Sequence, residues 1–141
     1  MELESLFSLA GLVAAAGWLI LVFLPRWRFT QIICAVVIPL AIALLYLGLI
    51  ARFLGRGPGG FGSLAEVGLL FSQPGPLLAG WVHYLAFDLF IGSWEVRDSQ
   101  KHGVSHWLVI PCLIATFMLG PLGLLTYFII RSIKLREISA P

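Results

Sequence analysis

Of the 141 residues, 60% are hydrophobic and 11% are charged, against about a quarter charged in an ordinary soluble domain. The formal net charge of +2 is too small, and too scattered over loops, to build a nucleic-acid surface, so no DNA or RNA partner is expected. The composition is that of an integral membrane protein, and the length fits a single domain over residues 1–141.

The N-terminal MELES lacks the basic segment of a secretory signal, so the first apolar run is expected to stay in the protein. That run carries no charge from Ser5 to Pro25, and the second carries none from Phe29 to Ala51. Crossing about 30 Å of hydrocarbon takes about 20 helical residues. Both runs therefore read as spanning helices, over residues 5–25 and 31–51. The next stretch, GRGPGGFGSLAEVGLLFSQPGP, is bounded by Gly and Pro and is apolar for too short a distance to span. Ser63 followed by Glu66 fits a capping box, and QPGP stops the helix after about nine residues. This short helix is expected at the interface or tucked between spans.

A third span is expected over residues 76–95, with Asp88 inside it, and a fourth over residues 107–130, with His106 at its mouth. The predicted fold class is thus all-α and integral to the membrane, with four transmembrane helices and a short interfacial helix between the second and third. Water-free hydrocarbon leaves helices as the only structure these single apolar runs can adopt. Pro39, Pro111 and Pro121 then imply kinks or local unwinding. Cys34 and Cys112 fall within apolar runs and read as buried thiols. Lys and Arg divide four against five between the two sides, so the charges do not orient the chain. Trp18, Trp27, Trp81, Trp94 and Trp107 sit mostly near the span ends, as interfacial anchors do.

The segment HYLAFDLFIGSWEVRD, from His83 to Asp98, is the chemically distinctive one. At about 100° per residue, Asp88 shares a helical face with Tyr84, Ile91, Gly92 and Glu95, while His83 lies about 140° around the axis. A carboxylate at mid-bilayer costs about 3 kcal/mol or more, so an intramembrane Asp is paired, protonated or lining a polar cavity. Its plainest use is as glue between helices. At and beyond the end of the third span, Glu95, Arg97, Lys101 and His102 read as a solvated connection. That connection is brief enough to fold Asp98 and His106 back over the mouth between the third and fourth helices, within reach of His83 or Asp88. The candidate catalytic residues are therefore His83, Asp88, Asp98 and His106. A metal site is not expected, because HxxxxD on one helix with a distant His is a poor ligand spacing.

WVHYLAFDLFIGSWEVRD and SHWLVIPCLIATFMLGPLGLLTYFIIR together resemble the neoxanthin-synthase-like family, also called abscisic-acid-deficient-four-like. These are small four-helix membrane proteins of plants, algae and bacteria. His83, Asp88, Leu89 and Phe90 match the family's third-helix motif, Asp98 an aspartate that ends that helix, and His106 a histidine that opens the fourth. Gly120 to Gly123 match its Gly-Pro-x-Gly turn. The likeness covers about the last 80 residues well, and the first two spans by hydropathy alone. The chain lacks the N-terminal extension of plastid members, so the expected location is a bacterial inner membrane, or a plastid membrane for a mature plant-type form.

The resemblance implies a carotenoid, xanthophyll or other polyene ligand and an isomerisation of a 5,6-epoxide to an allenic alcohol. That reaction changes no oxidation state, so it implies no redox cofactor. It needs a proton delivered to the epoxide oxygen and another removed from the adjacent chain carbon. Asp88 is the expected acid and His83 or His106 the expected base, with Asp98 orienting a histidine. Tyr84, Phe87, Phe90, Trp94 and Trp107 are the candidate ligand-binding walls, and Gly80, Gly92, Gly120 and Gly123 allow close helix approach. The competing expectation is a non-catalytic polyene-binding or scaffold subunit. Membrane lipid, a homo-oligomer or a larger membrane complex are the expected partners.

Overall fold

A computed structural model describes residues 2–136, and among these the regular structure is entirely helical. Helix α1 runs Leu3–Phe23 and ends two residues before Pro25 displaces the chain. Helix α2 runs Thr30–Phe53. Its first residue is buried, and the Thr30 hydroxyl donates to the Leu24 carbonyl at 2.5 Å, which closes the α1–α2 connection. Between Ile33 and Val37 the α2 turn widens, so that the Ile38 N–H reaches back to the Ile33 carbonyl. The wide turn sits immediately before Pro39, which has no N–H to give, so the expected disturbance takes this form.

The short helix α3, Leu64–Phe71, starts as the capping box predicts. Ser63 Oγ accepts from the Glu66 N–H at 3.2 Å, and Glu66 Oε2 accepts from the Gly62 N–H at 3.0 Å. Helix α4 then begins at Pro74, where the missing N–H costs nothing, and runs to Lys101. It ends at Gly103, whose φ of +66° lets the Val104 N–H turn back to the Ser99 carbonyl at 2.9 Å. The expected third span stopped at residue 95. In the structure α4 continues further, so Glu95, Arg97, Asp98 and Lys101 are helical rather than parts of a loop.

The fourth apolar run is divided. Helix α5 covers His106–Leu119 and helix α6 covers Pro121–Leu135, with Gly120 between them at φ +46° and ψ −96°. An L-residue side chain disfavours that backbone, and Pro121 offers no N–H to continue the ladder, so Gly-Pro interrupts the helix instead of bending it. Pro111 by contrast is accommodated inside α5. Among the described residues three helices, α1, α2 and α4, are long and apolar enough to cross a membrane. At 14 and 15 residues, α5 and α6 are each shorter than a span requires.

Helix α4 is the axis of the molecule, packed against α1, α2, α3, α5 and α6. Val82, Leu89 and Val96, seven residues apart, are fully buried on it. Glycine brings the helices close, since a Cβ at Gly92 would lie 2.6 Å from the Trp18 ring. The outer surface carries Leu12, Phe23, Leu44, Phe87 and Ile133, all exposed. Such a surface suits hydrocarbon.

Candidate functional site

One face of α4 carries Tyr84, Asp88, Glu95 and Asp98 toward the α5–α6 pair. Asp88 is half-buried. Its carboxyl lies against the break between those two helices, where a Cβ on Gly120 would come within 3.2 Å of Oδ1. Oδ2 is buried and has no hydrogen-bond partner. Tyr84, one turn earlier, lies beside that carboxyl. The Tyr84 hydroxyl donates to the Phe117 carbonyl at 2.7 Å, one of the acceptors freed where α5 ends.

Two turns further along the same face, Glu95 is entirely buried. Thr116 Oγ1 donates to Glu95 Oε1 at 2.9 Å, while Oε2 has no partner. Gly123, in the first turn of α6, makes room for this contact, because any Cβ there would collide with Thr116. The expectation of a solvated Glu95 is therefore corrected: extension of α4 past residue 95 keeps its side chain inside the bundle. A buried carboxyl oxygen without a donor carries a desolvation cost of roughly 1–3 kcal/mol. Two such oxygens on one face therefore mark it as chemically unusual.

Asp98 is satisfied by contrast. Tyr127 Oη and Arg131 Nε each donate to Oδ2 at 2.7 Å, and His102 Nδ1 stands 3.2 Å from Oδ1. Arg131 and Tyr127 are also fully buried, so this is an internal ion pair with its own hydrogen bonds, tying α4 to α6. The histidine that Asp98 contacts is His102, one turn along its own helix, and not His83 or His106.

The other two candidates stand elsewhere. His83 is exposed on the α2 side of α4, stacked on Phe87 at 4.6 Å between ring centroids and 5.6 Å from Tyr46. It lines a cavity of about 280 Å³ beneath α3, together with Tyr46, Phe61, Phe71 and Gly80. His106 opens α5, and its Nε2 donates to the Val22 carbonyl at the end of α1 over 2.9 Å. The structure thus brings neither His83 nor His106 to Asp88. The helical angle between residues 83 and 88 explains the first separation, and the pull of an unpaired α1 carbonyl explains the second. No three His, Cys, Asp or Glu side chains gather closely enough to share a cation among the described residues.

Of the candidate wall residues, Tyr84 lines a second cavity of about 590 Å³ with Leu77, Trp81, Leu85, Phe117 and Met118. Leu77, Trp81, Phe117 and Met118 are all exposed on the outer surface, so the cavity faces outward, and Tyr84 is the lining residue that lies next to Asp88. Phe87 and Phe90 point outward. Trp94 packs edge-on against Tyr127 at 5.3 Å, bracing the Asp98 cluster. Trp107 is 82% exposed, near the α4–α5 connection. Thr116, Tyr127 and Arg131 were not foreseen, since residues with ordinary roles in a fourth span give no signal until the helix breaks and turns them inward.

An all-helical chain with three membrane-length apolar helices, and carboxyl groups sealed against a broken helix pair, is a small membrane protein with a polar interior. Over residues 5–127 it matches the family described as ABA DEFICIENT 4-like, and it belongs to that family. Membership implies a neoxanthin-synthase-like membrane protein in general terms. No curated protein and no solved structure matches the chain.

Proposed function

We propose that this protein is a membrane-embedded isomerase of a carotenoid, xanthophyll or related oxygenated polyene, with Asp88 as its working acid. One observation carries the reading. The Asp88 carboxyl, whose buried Oδ2 has no partner, lies beside Tyr84, and Tyr84 lines an apolar cavity on the outer surface of the bundle. A long hydrocarbon can reach such a cavity from the membrane without crossing water.

The chemistry needs one carboxyl used twice. A carboxylic acid in a poorly solvated site stays protonated and can donate. Asp88 gives its proton to the epoxide oxygen as the carbon–oxygen bond opens, leaving an allylic cation delocalised along the polyene. The carboxylate then takes the proton from the adjacent chain carbon, which leaves an allene and a hydroxyl group and returns Asp88 to its protonated form. Atoms and oxidation state balance, and no residue other than Asp88 has to touch the reacting atoms. Tyr84 holds the cavity wall through its bond to Phe117. In this reading α5 and α6 together make the fourth crossing. Their 14 and 15 residues sum to 29, which is about 43 Å of helix at 1.5 Å per residue. A bacterial inner membrane is the proposed location.

The alternative is a non-catalytic polyene-binding subunit of a larger complex. It is favoured by the way Asp98 and His106 are fully used as ties between helices. Reconstitution in nanodiscs with a 5,6-epoxy carotenoid separates the two. The isomerase yields an allenic product of unchanged mass, seen by chromatography and mass spectrometry. A binding subunit retains the pigment and returns it unaltered.

A further inference from the structure

The polar face of α4 does not stop at Asp88. Asp88, Glu95, Asp98 and His102 fall within a stripe about 80° wide at 100° per residue, reaching from the middle of the helix to its last turn. The outer end of that stripe lies at the last turn of α4, where His102, beside the α4–α5 connection, is 19% exposed. At that end, His102, Tyr127 and Arg131 surround Asp98. Glu95 lies between the two ends and within electrostatic reach of both Asp88 and Tyr127. The groups facing it are Cys112 and Thr116 from α5 and Gly123 and Tyr127 from α6. It is 0% exposed and keeps one carboxyl oxygen unpartnered.

We infer that this stripe is a proton path from the His102 end to Asp88, with Glu95 as its carrier. The inference rests on Asp88 working as a proton donor inside the bundle. Such an acid must be loaded with its proton, and reloaded whenever a turnover fails, although it sits in hydrocarbon. Chains of Asp, Glu and His across a membrane interior are the usual means of moving protons to such a place. Glu95 is suited to the step because Oε1 is anchored by Thr116 while Oε2 is free to give or take a proton. Gly120 and Gly123 bring no side chain, so the helix break packs directly on this face, against the Asp88 carboxyl and against the Thr116 that holds Glu95. On transfer the proton leaves Glu95 and arrives on Asp88, and a proton taken up from water at the His102 end refills Glu95, so no other reactant is consumed.

Infrared spectroscopy of the whole protein in nanodiscs tests this without any substrate. The stretching bands of protonated carboxyl groups are assigned by their loss in Asp88→Asn and Glu95→Gln, and their shift is followed after transfer to D2O. In the unaltered protein the Asp88 band shifts promptly, whereas in Glu95→Gln, which cannot pass a proton, it shifts at least an order of magnitude more slowly. Glu95→Asp restores much of the rate, which a purely structural role would not do. Should Glu95→Gln fail to fold, Tyr127→Phe removes the hydroxyl at the outer end and slows the same exchange. An Asp88 band that exchanges as fast without Glu95, or without the Tyr127 hydroxyl if Glu95→Gln cannot be examined, overturns the path and leaves Asp88 as an acid. Absence of any protonated Asp88 band overturns the acid itself and the path with it.

Discussion

Arg131 Nε donates to Asp98 Oδ2 at 2.7 Å, and the two side chains are only 1% and 4% exposed. The pair locks the last turns of α4 to α6, and so fixes how the broken fourth run lies against the carboxyl face. Replacing either partner alone strands the other charge in the interior, which costs about 3–5 kcal/mol. Arg131→Ala and Asp98→Ala are each expected to lose that much stability in denaturant titrations in detergent micelles. The double replacement should lose less than the sum, since no lone charge remains. Near-neutral single variants would show that this contact is not a structural tie.

Gly120 is the second point of sensitivity. Its φ of +46° disfavours any L-residue by roughly 1–2 kcal/mol. A new methyl group would also press on the Asp88 carboxyl from 3.2 Å. Gly120→Ala is therefore expected to lower thermal stability by about that amount and to reduce product formation more than pigment binding. Equal losses of both would indicate that the break serves packing alone.

His106 acts as a clasp between α5 and α1 through the Val22 carbonyl. His106→Ala leaves that carbonyl without its partner and is expected to cost roughly 1–3 kcal/mol. Unfolding followed by circular dichroism is the measurement. An unchanged midpoint accompanied by complete loss of turnover would instead give His106 the chemical role that its position does not supply.

Much of the architecture was legible in the chain because apolar run length and caps are local properties. The ends of α1 and α2, the Ser63–Glu66 box and the stop before Pro74 all follow from neighbours in sequence. The last turns of α4 were not legible, because charged residues after a span look like a solvated connection until a partner such as Arg131 is known. That partner is 33 residues away from Asp98. Glu95 is legible in part, since it lies on the same helical face as Asp88, but its charge and its place at the expected span end suggest water. The grouping of His83 and His106 with Asp88 went wrong where composition stood in for direction: His83 faces α2, and His106 reaches α1. Gly-Pro at residues 120 and 121 was recognised as a disturbance, but its full effect depends on the backbone angles at Gly120.

The decisive measurement is conversion of a 5,6-epoxy carotenoid by Asp88→Asn compared with the unaltered protein, both in nanodiscs and both shown to retain pigment. Asparagine keeps the size of the side chain and removes its transferable proton, so pigment should stay bound while formation of the allenic product falls about 10²-fold or more. Product formed at the original rate by a folded, pigment-bearing Asp88→Asn protein would contradict an acid at this position.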